Sequence, residues 1–306
     1  MNEQNHFPWR TLINPRYWPA WIGLGVLWCL AQLPFPVQSG IGHGLGLLLY
    51  YLSPRRRHIA SVNLRLCFPE LDEKAHKLLL KKNFKSLGLS FMEVVSGWWL
   101  PDRRLQKLVT VEGIEHLQSA LKEGNGVILL SAHFTCLEMG GRLLSLYAPF
   151  HVMYRSNENP VIEYFMRKNR EHHFDKAIPR DNAREMLKSL KQGKAVWYAS
   201  DQNFGHKHSV FADFFGIAAA TNTATSRLAR LSGARVIPFF PSRKDNDHGY
   251  LLRLFPPLEH FPSKDVQEDA SRINHLIEEQ VRRTPEQYLW VHRRFKDRPD
   301  NQPPFY

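Results

Sequence analysis

Gly126-Val127-Ile128-Leu129-Leu130-Ser131-Ala132-His133-Phe134-Thr135-Cys136-Leu137-Glu138 is the stretch on which the reading of this chain turns. Residues 126–130 form an uncharged apolar run of the length of a strand buried on both faces. A helix-like pattern begins at Leu137 and continues to Tyr147. His133 therefore falls just beyond a strand, where open α/β sheets gather their ligands. An unperturbed histidine titrates near pH 6.5, so it can take a proton in neutral solution, and a nearby carboxylate can hold its tautomer and support the imidazolium. Glu138 stands five residues later. Within a helix that spacing would turn the two side chains about 140° apart, but across a strand-to-helix turn they can meet. His133 and Glu138 are thus candidates for a catalytic base and its orienter; the other reading of the pattern is a surface histidine and an unrelated glutamate.

The same alternation extends outward. Apolar runs recur at 151–154, 195–199, 236–240 and 250–255, and most are separated by longer amphipathic stretches such as 180–192 and 221–232. This pattern predicts an α/β fold, a mixed central sheet flanked by helices. Arg155 comes after the second run and Asp201 after the third, at positions equivalent to His133. Each has an ordinary role open to it, Arg155 as a surface cation and Asp201 as a turn or helix cap. Their shared placement puts them in the expected site.

Residues 55–100 read as largely helical, while the N-terminus has a different character. No Asp, Glu, Lys or Arg occurs from Tyr17 through Pro54. Residues 18–35 approach the roughly 20 apolar residues of a membrane span, with Trp18 and Trp21 where a headgroup boundary would lie and Pro34 and Pro36 at the end. An N-terminal membrane-anchoring helix is expected, in an anchor region 1–54 ahead of a catalytic domain 55–306. Gly40, Gly42, Gly44 and Gly46 alternate before Leu47. Arg55, Arg56 and Arg57 suit anionic headgroups and a cytoplasmic position. Arg10 and Arg16 on the other flank leave orientation open, so the alternatives to a span are a helix lying in the interface and a buried helix of the globular fold.

The chain has 306 residues, 43% of them hydrophobic, enough for a sizeable core. Its 41 Lys and Arg exceed 29 Asp and Glu, a formal charge of +12 that attracts acidic partners: nucleic acid, anionic lipid or an acidic carrier protein. The positive charge is spread along the chain and no nucleic-acid module is visible, which argues against the first. Cys29, Cys67 and Cys136 are odd in number and far apart, so neither a disulfide framework nor a zinc site is expected. Cys136 would serve as an acyl-enzyme nucleophile only with a depressed pKa that nothing nearby demands. It reads as a small core residue. The pairs Arg282-Arg283 and Arg293-Arg294, with Lys296 and Arg298, read as solvated charge or as a docking surface for a carrier.

Taken together, several stretches resemble the late acyltransferases of lipid A biosynthesis, the lauroyl, myristoyl and palmitoleoyl transferases of Gram-negative bacteria. They are Asn14-Pro15-Arg16-Tyr17-Trp18, Asn63-Leu64-Arg65-Leu66-Cys67-Phe68-Pro69, Trp98-Trp99-Leu100-Pro101-Asp102-Arg103-Arg104, the His133 to Glu138 segment, Val196-Trp197-Tyr198-Ala199-Ser200-Asp201-Gln202, and the C-terminal Pro285-Glu286-Gln287-Tyr288-Leu289-Trp290-Val291-His292-Arg293-Arg294-Phe295-Lys296. The resemblance implies acyl transfer from acyl carrier protein to a hydroxyacyl chain of a Kdo-bearing lipid A precursor at the cytoplasmic face of the inner membrane, without metal or cofactor. It also implies that His133 deprotonates the acceptor hydroxyl while Glu138 holds the ring, that Arg170 and Asp201 are functional substrate-binding residues, and that Arg155 contacts phosphate or carrier. The competing readings are a lipid acyltransferase acting on a glycerol phosphate or glycolipid, and a basic membrane-surface protein without catalysis.

Overall fold

A computed structural model describes residues 12–203, 205, 208–245, 249–300 and 302–306; Arg10 lies outside them. After a 3-10 turn at Pro15–Tyr17, the uncharged N-terminal stretch forms α1 (Trp18–Ala31) and α2 (Phe35–Leu52). The single spanning helix expected over 18–35 is therefore corrected to two helices, parted by Pro34, which sits at the N-cap of α2 in an extended conformation. The 14 residues of α1 rise about 21 Å, short of the roughly 30 Å hydrocarbon core. Among the described residues no helix is long and apolar enough to cross a membrane.

α2 packs on the long helix α4 (Glu73–Trp99), which comes after α3 (Pro54–Cys67) and begins with the Asp72 side chain accepting from Ala75 N. Two of the four alternating glycines explain the crossing. A Cβ on Gly46 would lie 2.2 Å from Phe84 O, and one on Gly88 of α4 would lie 2.1 Å from Gly42 O. Gly40 and Gly44 meet nothing within 4 Å. Leu49 and Tyr50 pack against the main core, so α2 is joined to the structure beyond residue 54 through side chains as well as backbone.

After the short α5 (Asp102–Gln106) the chain alternates: β1 (Val109–Glu112), α6 (Ile114–Lys122), β2 (Val127–Ser131), α7 (Leu137–Leu144), β3 (His151–Tyr154), α8 (Pro160–His173), β4 (Lys176–Pro179), α9 (Ala183–Lys191) and β5 (Ala195–Ala199). A hairpin, β6 (Ser209–Phe214) and β7 (Ile217–Asn222), precedes α10 (Ala224–Ser232), β8 (Arg235–Arg243), β9 (Tyr250–Leu254) and α11 (Val266–Arg283). The main sheet has the order β1-β9-β8-β2-β5-β3-β4. All its pairs are parallel except β8 with β9. This is the mixed α/β sheet flanked by helices that the alternation predicts.

Every residue of β2 is buried, as its uninterrupted apolar sequence requires of a central strand. The five expected strands are present. Four others escaped the pattern for local reasons: β1 is half-exposed, β4 buries only Ile178, and β6 and β7 form a separate hairpin turning at Phe215 and Gly216, where φ is 55° and 73°. That hairpin takes Asn222 and the residue before it out of the stretch read as helical; α10 starts only at Ala224.

Candidate active site

β2, β5 and β3 are neighbours and run in one direction, so the segments after them emerge at the same edge of the sheet. A cavity of about 740 Å³ opens there, lined by His133, Glu138, Arg155 and Arg170 among polar groups and by Leu137, Met153, Phe174, Met186, Trp197 and Leu228 among apolar ones. Part of its wall is greasy and part cationic, a lining suited to a ligand with an alkyl chain and an acidic part.

His133 is held by the segment after β5. Its Nδ1 lies 2.7 Å from Asp201 Oδ1, and its backbone N–H donates to Asp201 Oδ2 at 3.0 Å. The strands supply this proximity: Ser131 pairs with Ala199 at their last residues. Asp201 is only 3% exposed, whereas the His133 side chain is 26% exposed and lines the cavity. With Nδ1 committed to the carboxylate, Nε2 is the nitrogen left to receive a substrate proton.

The electrostatics suit that task. Burial disfavours the imidazolium, but the charge of Asp201 and its hydrogen bond outweigh this, and the His133 pKa is raised above 6.5. Burial likewise pushes the Asp201 carboxyl up, yet His133 and its hydrogen bonds bring it down to about 2. Asp201 thus stays ionised behind a histidine that is a stronger base than free imidazole.

Glu138 is placed differently from expectation. It stands in the first turn of α7, is 44% exposed, and accepts from Arg170 Nη2 at 3.0 Å. Arg170 is buried near the end of α8, with its guanidinium 5.2 Å from the centroid of the Tyr154 ring. The carboxylate hydrogen-bonded to the His133 ring is thus Asp201, while Glu138 lines the same cavity and is bonded to Arg170. Asp201 in turn sits behind the imidazole and is absent from the residues that line the cavity. Arg155 lines the cavity and is exposed, as its position after β3 predicts.

Other residues meet their expectations unevenly. Cys136 is buried with its thiol pushed up to about 12 by burial, and its Sγ lies 3.5 Å from Pro241 O, a core residue with no thiolate at neutral pH. Arg294 is 2% exposed and donates to Ala220 O and Thr221 Oγ1 at 2.7 and 2.9 Å, so it belongs to the interior rather than to a solvated docking surface. The sequence reading missed Arg180 and Arg227 as lining residues of the cavity, and Tyr288 and His292 as neighbours of Asp201. For the arginines the available signal was position, since Arg180 comes directly after β4 and Arg227 lies in the first turn of α10. Among the described residues no cluster of three or more His, Cys, Asp or Glu side chains could hold a metal ion.

An α/β sheet presenting a hydrogen-bonded histidine–aspartate pair at the carboxyl end of its central strand, before a cavity part apolar and part cationic, has the geometry suited to taking a proton from an amphipathic ligand. The sequence model of the family described as "Bacterial lipid A biosynthesis acyltransferase" matches residues 5–297. The "Lipid A biosynthesis lauroyltransferase" of Escherichia coli (strain K12) is 40% identical over 297 residues, 97% of both chains. The "Lipid A biosynthesis palmitoleoyltransferase" of the same organism is 40% identical over 298 residues, again 97% of both. Its "Lipid A biosynthesis myristoyltransferase" is 28% identical over 291 residues, 94% of this chain and 90% of the relative. The chain belongs to the bacterial lipid A biosynthesis acyltransferases. It is an acyltransferase of lipid A biosynthesis.

Proposed function

We propose that this enzyme transfers a fatty acyl group from the thioester of acyl carrier protein to the hydroxyl of a hydroxyacyl chain on a Kdo-bearing lipid A precursor. The observation that carries the reading is the His133–Asp201 pair, 2.7 Å apart, at the wall of a cavity large enough for an acyl chain. His133 Nε2 takes the hydroxyl proton as the oxygen attacks the thioester carbonyl carbon. The carbon–sulfur bond then breaks, the ester forms, and the carrier's thiolate leaves to take up a proton. Base catalysis of this kind contributes about 10²–10⁴-fold. Asp201 stabilises the imidazolium formed on the way. Arg170, fixed by Glu138, and the unburied Arg155 meet the anionic groups of donor or acceptor, consistent with a net charge of +12.

The reaction belongs at the cytoplasmic face of the inner membrane. Trp18, Ile22, Val26 and Trp28 of α1 are 57, 67, 54 and 51% exposed, a broad exposed apolar surface. Such a helix suits the lipid interface rather than a span. Arg55, Arg56 and Arg57 at the start of α3 add attraction to anionic headgroups.

The test supplies lauroyl, myristoyl and palmitoleoyl carrier proteins and the tetra-acylated Kdo-bearing precursor to detergent-solubilised enzyme, with glycerol phosphate and a glycolipid as rival acceptors. Labelled product on the lipid A precursor, lost in His133→Ala, is the expected result. Product on a rival acceptor alone would replace the assigned acceptor.

A further inference from the structure

Two of the sequence motifs have so far no part in the site: the C-terminal 285–296 and the 63–69 stretch. The fold brings them together beside His133. Residues 287–289 run antiparallel to the catalytic loop as a short added strand. Thr135 N donates to Gln287 O at 2.7 Å, Phe134 and Tyr288 form a β-bridge, and Leu289 N donates to His133 O at 3.0 Å. Further on, His292 Nε2 accepts from Asn203 N at 3.1 Å, two residues beyond Asp201. One strap thus contacts both loops whose separation sets the His133–Asp201 hydrogen bond.

The strap has little regular structure of its own, and two asparagines hold it. Asn83 Nδ2, from α4, donates to Glu286 O at 2.9 Å and Tyr288 O at 2.7 Å. Asn63 Nδ2, from α3, donates to Trp290 O at 2.7 Å and His292 O at 2.8 Å. Both side chains are 0% exposed. Asn83 leaves its Oδ1 buried without a hydrogen-bond partner, a cost that an apolar residue at this position would avoid. Its two donors are the compensating gain, and both are spent on the strap.

We propose that Asn83 and Asn63 are positioning residues, which clamp the 286–292 strap and through it keep His133 in register with Asp201. Neither reaches the cavity. They act on the base only through backbone. The inference rests on the reading of His133 as that base, and its test is read both with and without acyl transfer.

Among the described residues, the charged and titratable groups around the imidazole and its carboxylate are Asp201 behind it, Tyr288, His292 and Arg294 from the C-terminal segment, Tyr198 of β5, and Glu138, Arg155, Arg170, Arg180, Asp181 and Arg227 of the cavity. Of these, Asp201 is the one that raises the His133 pKa; burial opposes it. Loosening the strap therefore lets the pKa fall. In Asn83→Ala, kcat should drop at least tenfold with the KM of either substrate within twofold of wild type. The pH midpoint for carbethoxylation of His133 by diethyl pyrocarbonate, read by peptide mass, should move down. A wild-type kcat together with an unmoved midpoint in folded Asn83→Ala would overturn the proposal. A purely structural role would lower the melting temperature and leave the midpoint in place.

Should Asn83→Ala fail to fold, hydrogen exchange on the wild type decides. The Thr135 and Leu289 amides should be protected like those of β2, and exchange at the rate of an exposed loop would contradict the clamp. Neither labelling nor exchange needs a substrate. A wild type that transfers nothing to the lipid A precursor would therefore count against the function while leaving the strap to be judged on its own.

Discussion

The two sides of the His133 imidazole are built differently. Behind it, Asp201 is 3% exposed and bonded to both the ring and the backbone of His133, on a loop that the strap contacts. In front, Glu138 is 44% exposed and Arg155 is open to the cavity. The rear is dry and over-determined, as fits a group that must keep one tautomer and stay ionised through every turnover. The front keeps its charges hydrated until a substrate displaces the water. The difference separates the partners of the two carboxylates: one is bonded to the imidazole and the other to a guanidinium.

The largest expected effect breaks the rear side. Asp201→Asn should reduce kcat by about 10²–10⁴-fold with little change in KM, because the ring loses both its tautomer and its counter-charge. Steady-state kinetics with saturating donor would show it. Glu138→Ala should come next, by about 10²-fold in kcat/KM, since it frees the buried Arg170 rather than the base. If its loss fell on kcat alone, with no rise in KM, the division of labour would be wrong. Arg155→Ala should raise the KM of the anionic partner by several-fold, and the ratio to wild type should shrink as salt is added.

A pH prediction sharpens the same contrast. A general base works in its neutral form, and the raised His133 pKa places the acid limb of the kcat/KM profile above 6.5. Stability takes the opposite sign for the two partners. The contribution of His133 is full below 6.5 and is lost as pH rises through its raised pKa, while that of Asp201 is full above 3.8 and fades as pH falls through about 2. Denaturant melts across that range would record both trends.

Much of this was legible in sequence for a specific reason. A short apolar run such as 126–130, headed by Gly126 and followed by an amphipathic stretch, reads as a buried strand, and ligands gather just beyond such strands, so His133, Arg155 and Asp201 were found as a group. The partner of His133 was not legible, because Asp201 lies 68 residues away and becomes its neighbour only when β5 sits beside β2. No local pattern encodes that order. Glu138 drew the assignment by nearness in sequence, whereas the turn of α7 carries it toward Arg170. The spanning helix over 18–35 was read from composition and from the prolines at its end, neither of which reveals that the helix stops at Ala31 or that Gly42 and Gly46 seat α2 against α4. The strap has too little periodicity for its structure to be read; Asn63 and Asn83, the pairing of Gln287 with Arg243 and the burial of Tyr288 and Trp290 hold it, all from residues distant in sequence.

By its hydrogen bonds to the ring and backbone of His133, Asp201 rather than Glu138 should govern the basicity of the imidazole. The most direct test is the pH dependence of acyl transfer, as kcat/KM, in wild type, Asp201→Asn and Glu138→Gln. The account requires the acid limb to fall to lower pH in Asp201→Asn, where burial acts on the imidazole unopposed, and to keep its wild-type position in Glu138→Gln despite reduced turnover. A limb that moves with Glu138→Gln and stays fixed with Asp201→Asn would contradict it.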